Sequence, residues 1–277
     1  MPLPESPMTA AESLLRRDRW VVASCLVLLC LLSWYYLFVG AGTGMSTVAM
    51  STWQFPPPVY DSMGQGNWSP AYWGIMLLMW WIMMIAMMVP SAAPMILLYA
   101  RVCRRHQPDQ LSVIPTAYFL LGYLIAWLVF SVAATALQWY LEQLGLVHSM
   151  MMWSNSHLLS ALFLLAAGIY QLSPLKAVCL QHCRSPAGYL SANWLKGRSG
   201  ALQMGLRHGI FCVGCCWFLM LLLFVGGIMN LVWIAGLAIF VLLEKILPRA
   251  AWMARGSGVF MLLLAGYLVV VMDATAK

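Results

Sequence analysis

The chain has 277 residues, of which 63% are hydrophobic and only 8% charged, with a formal net charge of +7. Its mean hydropathy is +0.83. A soluble domain could not hide so much apolar surface, and a membrane barrel would show short alternating segments of about ten residues instead of long apolar runs, so the expected class is all-α, a polytopic transmembrane helix bundle.

In chain order, residues 1–19 read as a short polar tail, residues 20–272 as one transmembrane domain, and residues 273–277 as a second tail. Within the domain, apolar runs fall at about 20–40, 71–99, 113–141, 158–176, 209–227, 230–247 and 257–272. Most approach the roughly 20 residues that span hydrocarbon, and the longer third run is expected to tilt. The first run starts after a basic segment, as a signal peptide does, but it is too long and has no clean small-residue cleavage site after it. It is therefore expected to remain as the first span. Only Gly227, Ile228, Met229 and Asn230 separate the fifth and sixth runs, which predicts a tight helical hairpin.

The 15 Lys and Arg residues test this count. Arg16, Arg17 and Arg19 precede the first run, and Arg101, Arg104 and Arg105 follow the second. Lys176, Arg184, Lys196, Arg198 and Arg207 lie between the fourth and fifth, and Lys245, Arg249 and Arg255 between the sixth and seventh; only Lys277, at the very end, is elsewhere. Loops 41–70 and 142–157 contain none. By the positive-inside rule, seven spans with the N-terminus inside and the C-terminus outside follow. Topology thus accounts for the basic charge, and no nucleic-acid partner is expected. The outer loops also lack cysteine, so the thiols are expected on the reducing side and free.

The strongest motif is Met204-x3-His208-x3-Cys212-x2-Cys215-Cys216-x3-Met220. At 3.6 residues per turn these positions share one helix stripe. Thiolates, an imidazole and thioethers are ligands for Cu(I), with Zn as the alternative. The bland reading of one buried cysteine is a small apolar residue, but three cysteines within five residues, aligned with a histidine, favour metal.

A second cluster, Cys179, His182 and Cys183, follows the fourth run. If the helix continues, Cys179 and Cys183 share a face, and the topology puts them on the same side of the membrane as Cys212. The two clusters could share one ion or pass it between them. The second run carries a third feature. Met76, Met79, Met83 and Met87 form one stripe, with Met84 and Met88 beside it, and Pro90-Ser91-Ala92-Ala93-Pro94 follows. Thioethers bind Cu(I) without deprotonation and are tolerated in lipid, although methionine is also adaptable core filler. The prolines predict a kink. In the outer loop, His148, Met150, Met151, Met152 and His157 suit copper capture where thiols would be oxidised, with an interfacial segment anchored by Trp153 as the bland alternative.

The stretches Trp80 to Pro94, Gly168 to Pro186 and Gly205 to Met220, followed by Met229-Asn230 and Glu244-Lys245, resemble a prokaryotic family of integral membrane proteins described as predicted metal-binding proteins and often labelled copper chaperones. The resemblance covers about residues 70–250. It implies metal binding at Cys179, Cys183, Cys212, Cys215 and Cys216, and a multi-pass place in a bacterial cytoplasmic (inner) membrane. It does not reach the Met-rich outer loops.

The leading expectation is a non-enzymatic, metal-binding membrane protein handling Cu(I) as chaperone, carrier or donor to a membrane cuproenzyme. Its partners would be the lipid bilayer and a copper-acceptor protein or membrane oxidase. There is no P-loop or aspartyl-phosphate motif for ATP-driven pumping. No carboxylate is expected mid-membrane, since Glu142 and Glu244 fall at the ends of runs. Two rivals stay open. One is a membrane thiol–disulfide oxidoreductase using the inner-side Cys212-x2-Cys215 pair. The other is a structural subunit whose Met and Cys are packing.

Overall fold

The computed structural model describes residues 10–43, 47–51, 68–106, 112–149, 152–248 and 250–275. Within them the chain forms helices α1 (Ala10–Phe38), α2 (Thr47–Met50), α3 (Pro70–His106), α4 (Val113–Gln143), α5 (His157–Leu172) and α6 (Pro174–Arg184). Then come α7 (Pro186–Ala192), α8 (Gly197–Leu221), α9 (Leu223–Gly226), α10 (Leu231–Ile246) and α11 (Ala250–Thr275). Among the described residues the only β pairing is one isolated bridge, Val147 to Ser154. The bundle is all-α and polytopic.

Among the described residues, five helical stretches are long and apolar enough to cross a membrane: Trp20–Phe38, Pro70–Arg105, Val113–Gln143, Gly197–Gly226 and Ala250–Val270. The bent pair α5 and α6 makes a sixth if it is one span. The sixth expected run becomes α10, whose 16 residues rise about 24 Å against a hydrocarbon core of about 30 Å.

Two expected boundaries move. The fourth run breaks at Ser173-Pro174, where α5 and α6 meet at 66°. Proline removes a backbone donor and is suited to a first helical turn, and the Ser173 hydroxyl accepts from Lys176 N at 3.2 Å as the N-cap of α6. Residues 177–208, between the fourth and fifth runs, are mostly helix: α6, α7 and the first half of α8. The three cysteines of α8 therefore stand well inside a 25-residue helix instead of at its start. The expected hairpin does form. Gly227, at φ 98°, turns the chain, and Asn230 Oδ1 caps α10 by accepting from Val232 N at 3.1 Å and Trp233 N at 3.4 Å.

Small residues set the helix spacing. A Cβ on Gly205 would overlap the Phe119 carbonyl, a Cβ on Gly122 would overlap that of Leu202, and one on Gly209 would sit 2.6 Å from Ala126 Cβ. Backbones this close need glycine and alanine at the crossing, and they lock α8 against α4. Gly168 and Gly258 do the same for α5 against α11. Large apolar side chains such as Leu31, Val129, Ile169 and Leu263 are exposed on the outer faces, as lipid contact requires. Inside lie the methionines of α3: Met76, Met79, Met83, Met84, Met87 and Met88 are all buried. Both expected helix-end carboxylates are also buried. Glu142 accepts from Gln138 Nε2 at 2.9 Å and Trp68 Nε1 at 3.0 Å, and Glu244 pairs with Lys176.

Candidate metal centre

Helix α8 turns His208, Cys212, Cys215 and Cys216 into the bundle together, because offsets of three and four residues fall on its buried face. Close packing of α4 and α6 on this face brings the other donors in. Cys183 of α6 lies with its Sγ 3.9 Å from Cys215 Sγ. Cys216 Sγ lies 3.9 Å from Met88 Sδ on α3. Cys212 stands three and four residues before Cys215 and Cys216 on the same buried face of α8. The Cys215 and Cys216 thiols donate to the Cys212 carbonyl at 3.1 and 2.8 Å. Four thiols and one thioether from three helices thus converge on one buried region.

Two sulfurs each about 2.3 Å from one ion stand about 3.8–4.0 Å apart in tetrahedral or trigonal coordination. Both 3.9 Å separations match that spacing. The donor set also suits a soft ion. Among the described residues, no group of three or more His, Cys, Asp or Glu side chains is placed to hold a metal ion. The sulfurs form a partly assembled cluster, closer in pairs than as a set.

The cluster has a polar side that sequence reasoning missed. Lys245 of α10 points its Nζ at Cys212 Sγ, 3.0 Å away, and at Ser91 Oγ, 2.8 Å away. The Tyr123 hydroxyl lies 3.1 Å from the same Cys212 Sγ and 3.2 Å from the Met88 carbonyl. Ser91 donates to that carbonyl at 2.9 Å. The sequence does carry a signal for Lys245, an ionisable residue at the end of an apolar run, but it served there as a marker of sidedness and as part of the family-like Glu244-Lys245 pair, not as a site residue.

The remaining candidates divide clearly. His208 is buried among the rings of Phe119, Tyr123 and Tyr189, and its Nδ1 has no hydrogen-bond partner. An orphaned buried imidazole nitrogen one helical turn from Cys212 is a donor in need of a ligand. Cys179 approaches the cluster from α6, with its Sγ 3.1 Å from where a Cβ on Gly214 would stand. His182 turns aside: its Nδ1 lies 3.0 Å from the Val178 carbonyl and its ring stacks on Phe211 at 4.2 Å.

Met204 is buried, but its sulfur accepts from Leu195 N at 3.3 Å. Met83, Met84, Met87 and Met220 are buried in the core. In the loop between α4 and α5, His148 N donates to Trp153 O at 2.9 Å, and Met152 is buried against the turn after α9, its carbonyl accepting from Ile228 N at 3.0 Å. Burial holds the His148 imidazole below the usual histidine range, so it stays neutral near neutral pH. His157 starts α5, and Met150 and Met151 lie outside the described residues. All eight cysteines are free.

Fold and cluster together define a polytopic α-helical membrane protein whose buried centre is lined with sulfur. A model of the copper-chaperone family PpoB2 matches residues 77–269. The chain belongs to that family, and the match spans α3 to α11, including every helix that contributes to the cluster. No curated protein and no solved structure matches the chain.

Proposed function

We propose that this protein binds Cu(I) through the cluster of Cys183, Cys212, Cys215 and Cys216, with Met88 and His208 completing the donor set, and passes it to an acceptor such as a membrane cuproenzyme. It acts without catalysis, in the cytoplasmic membrane of a bacterium, with its N-terminus inside. The observation that carries the reading is the pair of 3.9 Å sulfur–sulfur approaches, Cys183 to Cys215 and Cys216 to Met88, on the buried face that also carries Cys212. Family membership supports copper as the cargo. The buried thioethers of Met83, Met84 and Met87 give a soft ion further stations along α3. Capture by His148, Met150, Met151, Met152 and His157 on the outer side is the entry step of the reading.

The test is metal retention. The protein is purified anaerobically in detergent, loaded with Cu(I) or Zn(II), washed, and compared with the Cys212→Ser/Cys215→Ser/Cys216→Ser variant. Cu(I) retained by the native chain and lost by the folded variant is the expected result. Equal retention, or none in either, removes the thiol-site reading.

One observation favours a second reading. The 3.9 Å approach of Cys183 to Cys215 also suits a thiol–disulfide couple. That reading predicts dithiol exchange with a protein substrate and no metal retention.

A further inference from the structure

Lys245 is buried and carries a charge that the fold leaves uncancelled. Among the described residues the one ion pair is Lys176 to Glu244 at 2.7 Å. Glu244 is thereby committed to Lys176, and to Gln171, which donates to it at 2.7 Å. Among the described residues no carboxylate lies within ion-pair distance of the Lys245 ammonium. Its hydrogen bonds go to the neutral hydroxyl of Ser91 and the sulfur of Cys212. A buried cation is costly unless a neighbouring anion compensates it, and the available anions are the cysteine sulfurs.

We infer that Lys245 sets the ion selectivity of the thiol cluster, its fixed positive charge favouring a monovalent soft cation over a divalent one. The inference rests on the metal-binding reading above.

The reasoning is charge balance in a region of low dielectric. A monovalent ion held by two thiolates forms a unit of charge −1. The adjacent ammonium cancels it, and the buried assembly is neutral. A divalent ion on the same two thiolates is already neutral, so the ammonium stays unbalanced and is repelled by the ion. Restoring balance would need a third thiolate. Cys215 and Cys216, the nearest sources, donate their thiol protons to the Cys212 carbonyl, and ionising either one gives up that hydrogen bond. Structural sites for Zn(II) also want four ligands in a closed tetrahedron, whereas Lys245 Nζ already occupies one side of Cys212 Sγ. The Ser91 hydroxyl accepts from Lys245 Nζ at 2.8 Å and so holds it beside Cys212 before any ion arrives.

The experiment measures retention of Cu(I), Ag(I) and Zn(II) by the full chain in detergent, by competition with chelators, for the native protein and the Lys245→Met and Lys245→Arg variants. The native protein should hold Cu(I) and Ag(I) and release Zn(II). Lys245→Met, similar in length but uncharged, should narrow the Cu(I)-to-Zn(II) preference by roughly tenfold or more, and Lys245→Arg should keep it. A role in packing alone would move affinity for all three ions together. An unchanged ratio in folded Lys245→Met overturns the inference. Should that variant not fold, the native protein decides: Zn(II) held as tightly as Cu(I) overturns it, and Zn(II) released while Cu(I) and Ag(I) are held supports it. Retention of no ion by the native chain instead removes the metal-binding reading, a separate failure.

Discussion

Lys176 Nζ lies 2.7 Å from Glu244 Oε1, with both side chains almost wholly buried. The pair ties α6 to α10, and the next residue along α10 is Lys245, which reaches the thiol cluster. Lys176 also bonds the Gln171 side chain, and Gln171 donates to Ser257 of α11 at 2.8 Å. One buried ionic knot therefore fixes α5, α6, α10 and α11 together and sets where Lys245 stands. Removing one partner leaves an uncompensated buried charge, so Lys176→Met or Glu244→Leu alone should destabilise the protein by about 3–5 kcal/mol. The double variant Lys176→Met/Glu244→Leu should recover much of that loss. Thermal unfolding in detergent checks both.

The α4–α8 crossing makes a second prediction. Gly205→Ala puts a methyl group into the Phe119 carbonyl, and the helices must part. Overpacking of this kind costs about 1–3 kcal/mol or more. Because Tyr123 of α4 touches Cys212 of α8, the separation should also weaken Cu(I) retention. Gly236→Ala, where a Cβ meets nothing within 4 Å, is the control and should leave stability and retention unchanged.

Met88 separates ligand from filler. Met88→Leu conserves volume and should cost less than about 1.5 kcal/mol, yet it removes the thioether 3.9 Å from Cys216 Sγ. Cu(I) affinity should fall while the melting temperature hardly moves. Met79→Leu, made at another buried methionine of α3, should leave affinity unchanged. Equal affinity in both variants would assign Met88 to packing.

Oxidative cross-linking reads the thiol arrangement directly. Mild oxidant should join Cys183 to Cys215, whose sulfurs need to close from 3.9 Å to the about 2.05 Å of a disulfide. Peptide mass spectrometry identifies the bridge, and Cys183→Ser abolishes it. Prior loading with Cu(I) should slow the reaction, since a metal-bound thiolate is not free to attack. A dominant Cys212–Cys215 bridge would contradict the arrangement described here.

Much of the site was legible in the chain. The offsets of His208, Cys212, Cys215 and Cys216 determine a shared helix face, because helical periodicity is a local property. The same arithmetic aligned Met204 and Met220 with them, yet Met204 is engaged by Leu195 N and Met220 packs in the core. Periodicity says which way a side chain points, not what meets it there. The bend between α5 and α6 was also written locally, in Ser173-Pro174, but an apolar stretch on both sides hid it.

By itself the sequence determined the all-α membrane bundle, through long apolar runs that only helices can satisfy in lipid, and the soft-donor character of its centre, through cysteine, histidine and methionine at helical spacing. Tertiary structure decided the rest. Glycine at the α4–α8 crossing brings Tyr123 to Cys212, α6 folds back to bring Cys183 to Cys215, and α10 turns Lys245 inward while Lys176 occupies Glu244. Such contacts join residues far apart in the chain, through helix distances and rotations that no single segment encodes, so they exist only once the helices are packed.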